Sequence, residues 1–275
     1  MIPTAIDGMT RDSRVAGAIR MASARTGVDF SYLMHQARIE SGFNPNARAR
    51  TSSATGLFQF LDQTWLNTVK QHGAQHGLGW AAAAIQRGSN GRAYVADPTL
   101  RQQILDLRRQ PEAASAMAAE FASDNNDYLQ ARIGRPVQSV DLYLAHFLGP
   151  QGAANFLRAH DANPGTAAAA VAPAAARANR AIFYNRDGSP RSLGEVRERF
   201  AARMGGAAEM PAAAMPATAT PAIDGLLGGL PPEQDPQFAA VRMAAMENAS
   251  GDQPHAGPTP QYARLAYLML ADLGG

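Results

Sequence analysis

The chain has 275 residues, of which 46% are hydrophobic and 17% charged, enough apolar material for one large core and an appendage. It contains no cysteine, which excludes disulfides and thiol nucleophiles. The formal net charge is +2, but seven acids against Arg242 and Arg264 beyond residue 206 leave +7 on the first 206 residues. A basic body suits an anionic partner such as nucleic acid, membrane or acidic polymer, and it serves solubility equally well. Lys70 is the sole lysine, so the preponderance of arginine is a compositional bias and not selected arginine chemistry. No stretch reaches the roughly 18 apolar residues of a membrane span, and the N-terminus lacks the apolar run of a secretory leader.

The spacing of Val15, Ile19 and Ala22 predicts a helix over 11–26, stopped by Gly27. Asp29 is a fitting N-cap for a second helix, on which Phe30, Leu33, Met34 and Ala37 form one stripe and which Gly42 ends. The run "NPNARARTSSATG" reads as a loop. "GLFQFLDQTWLNTVKQHG" reads as helix, with Leu57, Phe60, Leu61, Thr64 and Trp65 on one face. The Gly-rich stretch that follows is irregular, and helical patterning returns from Pro98 to about Leu129. "SVDLYLAHFLG" is apolar nearly all round, which predicts a buried central helix, and "PAAARANRAIF" and "SLGEVRERFAARM" give two more. For 163–176 a packed segment is favoured over a loose linker. No period-2 runs with hairpin turns are found, so the expected fold class is all-α. Residues 1–205 form the expected folded domain. Residues 206–275 read as a Pro/Ala/Gly-rich linker or disordered tail, with a short amphipathic helix at 260–273 that either docks on a partner or folds back.

Glu40 stands where the stripe of the second helix calls for an apolar residue, and in the last turn before Gly42. Burial and the negative end of the helix dipole both disfavour its carboxylate, so a raised pKa and a general-acid role are expected. The alternative is an outward Glu40 paired with Arg38 or a loop arginine.

The segment "ESGFNPNARARTSSATGLFQF" resembles the signature of the lysozyme-like lytic transglycosylases, the soluble-lytic-transglycosylase class that cleaves peptidoglycan. The pattern is carried by Glu40, Ser41, Phe43, Asn44, Pro45, Gly56, Leu57 and Gln59. "SVDLYLAHFLGPQGAANFL" resembles the family's later Ala-Tyr-Asn-x-Gly-Pro-Gly motif, with His146-Phe147 in place of Tyr-Asn. A stretch near "ANRAIFYNRDGSPRSLGEVRERF" resembles an extension found in one branch, so the likeness covers roughly 11–204.

The resemblance implies a lysozyme-like all-α fold and Glu40 as the single catalytic acid/base, with Ser41 orienting the acid or the substrate. It implies that Gly56 and Leu57 let backbone approach the saccharide, that Gln59 contacts an acetamido group, and that either Tyr143 or His146 supplies the polar group of the altered motif. Its substrate would be peptidoglycan glycan strands, cleaved at the MurNAc–GlcNAc β-1,4 bond without water to leave a 1,6-anhydro end. That implies a periplasmic or cell-wall location, and the tail suggests a protein partner in flagellar, secretion or phage machinery. The alternatives are a hydrolytic muramidase, with Asp62 or Glu120 as a second carboxylate, and a non-catalytic peptidoglycan-binding assembly protein.

Other chemistries lack support in the sequence. His72 and His76 have zinc-ligand spacing, but Gly73 and Gly77 argue against a firm helix and no acidic third ligand is close in sequence, so no metal or other cofactor is expected. No esterase elbow, Walker loop or dinucleotide loop is present. The arginines lack interleaved aromatic residues, which argues against nucleic acid. Trp65 reads as core, and Trp80 is a candidate for sugar stacking.

Overall fold

A computed structural model describes residues 4–50 and 52–204, with side chains from residue 13 onward. The expected tail and its helix at 260–273 lie outside the described residues. Eleven α-helices are found in the described residues: α1 Thr4–Thr26, α2 Phe30–Ser41, α3 Asp62–His72, α4 Gly79–Ala84, α5 Pro98–Asp106, α6 Pro111–Ile133, α7 Ser139–Ala162, α8 Ala168–Val171, α9 Pro173–Ala178, α10 Arg180–Phe183 and α11 Leu193–Met204. The fold is all-α apart from one small hairpin. Its strands, β1 (Gln86–Arg87) and β2 (Ala93–Tyr94), pair antiparallel across a Gly-rich turn. This corrects the expectation of no sheet: with two residues per strand there is no alternation for a sequence pattern to reveal.

The core is built where the sequence places its stripes. Val15, Ile19 and Ala22 of α1 are buried, and α1 runs along α6. Helix α6 buries six alanines (Ala113, Ala114, Ala116, Ala118, Ala119, Ala122), small side chains that let neighbouring helices approach its backbone closely. Helix α7 is the expected central helix, and Leu142, Tyr143, Leu144, Ala145 and Phe147 are almost wholly buried. It bends at Gly149, whose φ of 74° and ψ of 158° are not helical. Pro150 next to it offers no N–H to the helix and pushes the preceding residue out of the α region.

The stripe Leu193, Val196, Phe200 and Met204 lays α11 against α7, and α11 also touches α2. Phe200 meets Tyr143 edge-on at 5.6 Å and Phe147 at 4.9 Å between centroids. Polar contacts fix the same junction: the buried Asp141 carboxylate accepts from Arg135 at 2.7 Å and from Arg197 at 3.0 Å. In the segment 163–176, Ala168 and Ala176 are buried, so it is packed as expected. The helix expected from Gly56 begins only at Asp62. Residues 55–60 are instead a tight turn closed by Thr55 N–H to the Phe60 carbonyl at 3.2 Å.

Candidate active site

Helix α2 delivers Glu40 through its two ends. The Asp29 side chain accepts from the Tyr32 amide at 2.7 Å, which satisfies an orphan donor of the first turn. At the other end Gly42 takes a left-handed conformation (φ 58°, ψ 39°) and donates back to the Ala37 and Arg38 carbonyls. Tyr32, Leu33, Met34 and Ala37 are buried, and Gln36 and Glu40, one turn apart, share that inward side. The outward pairing with Arg38 is therefore overturned: the Glu40 side chain has no solvent exposure.

The partner of Glu40 comes from α7. His146 Nε2 lies 3.1 Å from Glu40 Oε1, and Gln36 Nε2 lies 3.2 Å from His146 Nδ1. Burial pushes the His146 pKa down from 6.5 to about 4, because a charged ring would lose its hydration. At neutral pH the ring is uncharged, and its contact with Glu40 is a hydrogen bond between a neutral imidazole and a carboxyl group. Gln36 gave no signal as a site residue in the sequence. The signal that could have found it is its position four residues before Glu40 on the same helix.

Of the two residues expected to compensate for the missing Tyr-Asn, His146 is the one that reaches the acid. Tyr143 stacks on His146 at 6.2 Å, but its buried hydroxyl has no hydrogen-bond partner among the described residues, and burial holds its pKa above the ordinary value.

Ser41, Gly56, Leu57 and Gln59 come together as a braced wall beside the acid. The Ser41 hydroxyl lies 2.8 Å from the Leu57 carbonyl and 3.1 Å from that of Ala37, tying the end of α2 to the turn. The Leu57 side chain is fully buried, so only its backbone faces this junction. Gly56 has a φ of 86°, and a Cβ there would stand 2.0 Å from the Arg108 carbonyl oxygen. Glycine is thus demanded by the close approach of another backbone segment, whatever else it does. Gln59, itself at a φ of 48°, donates its side-chain amide to the Gly56 carbonyl at 2.8 Å and to that of Ala47 at 3.2 Å. Arg108 closes the wall from behind through the Ser53 and Phe60 carbonyls, both at 2.9 Å.

The remaining candidates are bound up elsewhere. The Asp62 carboxylate is held by Arg101 at 2.7 Å and Arg108 at 2.9 Å. Glu120 lies 2.6 Å from His76 and 3.2 Å from His72, whose other ring nitrogen is 2.9 Å from Asp124. The expectation that His72 and His76 lack a nearby acid is therefore corrected: α6 brings two. No group of three or more such side chains arranged to hold a metal ion occurs among the described residues. Trp65 is core, its indole donating to the Ile104 carbonyl at 2.7 Å, while Trp80 is exposed.

Residues 17–79 match the family model for the transglycosylase SLT domain. The matched segment runs from α1 past α3 and contains Glu40, Ser41, Gly56, Leu57 and Gln59; His146 lies beyond it. With the helical architecture, the match makes this segment similar to a lysozyme-like domain of the lytic-transglycosylase type, a class that acts on glycosidic bonds of peptidoglycan. No helix among the described residues is long and apolar enough to cross a membrane.

Proposed function

We propose that the protein is a peptidoglycan lytic transglycosylase that cleaves the MurNAc–GlcNAc β-1,4 bond and leaves a 1,6-anhydro-MurNAc end. The observation that carries this reading is the wholly buried Glu40 carboxyl beside the uncharged His146. A carboxyl group without solvent is costly to ionise, so Glu40 enters the reaction as the acid. It gives its proton to the glycosidic oxygen as the bond to the anomeric carbon breaks. The substrate's acetamido group helps to stabilise the oxocarbenium-like centre. The carboxylate then takes the proton of the 6-hydroxyl as that oxygen closes on the anomeric carbon, so one group acts as acid and then as base.

A single carboxylate is favoured because the two other acids considered, Asp62 and Glu120, are already clamped by arginines and histidines. Ser41, Gly56, Leu57 and Gln59 shape the wall against which the sugar lies. Both protons of the Gln59 amide are engaged by loop carbonyls, so any contact with an acetamido group falls to its oxygen. Because the Glu40 side chain is fully covered, the sugar reaches it only when covering groups move aside. Residues 1–205 are the catalytic domain in this reading. The acidic segment 206–275 recruits the enzyme to a larger assembly, and the site of action is the periplasm or cell wall.

Digestion of purified peptidoglycan in water enriched in oxygen-18 tests the reaction class. Fragments that are one water lighter than muramidase products and carry no label are expected. Labelled reducing ends would identify a hydrolase instead, and binding without release would identify an assembly protein.

A further inference from the structure

The proposed chemistry asks that one oxygen of Glu40 carry the moving proton. The buried row Gln36–His146–Glu40 decides which one. Gln36 is almost fully buried, and its amide nitrogen faces His146 Nδ1 at 3.2 Å, while the ring's other nitrogen faces Glu40 Oε1 at 3.1 Å. An amide NH2 only donates, so Nδ1 must be the accepting, unprotonated nitrogen of the ring. With the ring uncharged, its one proton then sits on Nε2 and is donated to Oε1.

The fold accepts a cost for this order: the Gln36 carbonyl oxygen is buried with no hydrogen-bond partner among the described residues. Turned over, the amide would offer that oxygen to Nδ1. The ring proton would then move to Nδ1, and Nε2 would draw the Glu40 proton onto Oε1, facing the histidine and away from any substrate.

Resting on the reading of Glu40 as acid and base, we infer that Gln36 is a positioning residue that fixes the His146 tautomer, so that Oε1 always accepts and the transferable proton is confined to Oε2. In the first step that proton leaves Oε2 for the glycosidic oxygen. In the second, Oε2 receives the proton of the 6-hydroxyl. His146 keeps its own proton on Nε2 throughout and stabilises the carboxylate formed between the two steps. No proton is exchanged with the ring, so the histidine need not titrate during turnover.

The test is nitrogen-15 NMR of the His146 ring in the full chain near neutral pH, for the wild type, Gln36→Glu and Gln36→Met, alongside steady-state kinetics on peptidoglycan. The wild type is expected to carry its proton on Nε2. In Gln36→Glu the new carboxylate accepts from Nδ1, so the ring proton moves there or the ring becomes doubly protonated. kcat is expected to fall about ten- to hundred-fold with KM little changed, and the pH profile to shift. Gln36→Met, which is close in volume and lacks the donor, is expected to lose the Nε2 preference while keeping the fold. A wild-type proton on Nδ1, or the same tautomer in all three proteins, overturns the inference. Because the spectrum needs no turnover, a wild type with its proton on Nε2 that cleaves no glycan would overturn the catalytic reading of Glu40, and with it the role of Gln36 in turnover, leaving the tautomer assignment standing.

Discussion

Among the described residues two histidine–carboxylate clusters differ in burial and in the number of carboxylates, and the difference bears on the role proposed for Glu40. In the first, one carboxyl group and one ring meet between α2 and α7, both nearly without solvent exposure (Glu40 0%, His146 4%). In the second, Glu120 and Asp124 of α6 face His72, the last residue of α3, and His76 in the turn that follows it. Asp124 there is 41% exposed. His72 has a carboxylate oxygen at each ring nitrogen, Glu120 at 3.2 Å and Asp124 at 2.9 Å. Two carboxylates meet two rings, water reaches the edge, and the result fastens α3 to α6. In the first cluster a single carboxyl group faces the ring, and burial pushes the ring toward its neutral form. What separates the two is the number of carboxylates that face the rings and the access of water, both of which bear on how far a carboxyl group is stabilised as an anion.

Variants that exchange these environments sharpen the contrast. His146→Leu removes the ring that lies 3.1 Å from Glu40 Oε1 and is expected to lower kcat about ten- to hundred-fold in a muropeptide-release assay, with the fold checked by circular dichroism. The same residue sets a pH signature. Its folded pKa of about 4 lies below the ordinary 6.5, so the unfolded chain binds the extra proton first. Stability from this source is complete above about pH 6.5, is lost as the pH falls toward 4, and amounts to on the order of 3 kcal/mol. Denaturant melts across that window should show the loss in the wild type and lack this component in His146→Leu. Glu120→Gln should do the reverse of His146→Leu: about 1–3 kcal/mol of stability lost in urea titration, with muropeptide release unchanged. Smallest of all, Arg14→Ala breaks a fork of hydrogen bonds to Glu112 at 2.7 and 3.0 Å on an exposed surface, and the melting temperature should not move measurably.

Much of the acid's setting could be read from the chain because it is local. Asp29 caps α2, Gly42 stops it, and the stripe between them points Glu40 inward, all within fourteen residues of sequence. The central helix was legible from its unbroken apolar run. The unreadable parts depend on distant pairings. Gly56 stands out in the motif, but the reason it must be glycine is the Arg108 carbonyl, which arrives from the turn after α5. Glu120 meets His76 across a separation of 44 residues, which no periodicity encodes. Gln36 looked like an ordinary polar helix residue, and only the arrival of α7 gives its amide a ring nitrogen to face. The hairpin at 86–94 is too short to carry a strand pattern, and the turn at 55–60 reads as helix because its apolar residues fall at helical spacing.

The central claim is that Glu40 performs the bond cleavage, and its most direct test is release of fragments from purified peptidoglycan by the wild type and by Glu40→Gln, read by mass spectrometry. The wild type should release anhydro-ended fragments. The variant, folded and still sedimenting with the polymer, should release them at least about a hundred-fold more slowly. Equal release by the two proteins would contradict the account and move the chemistry to another residue.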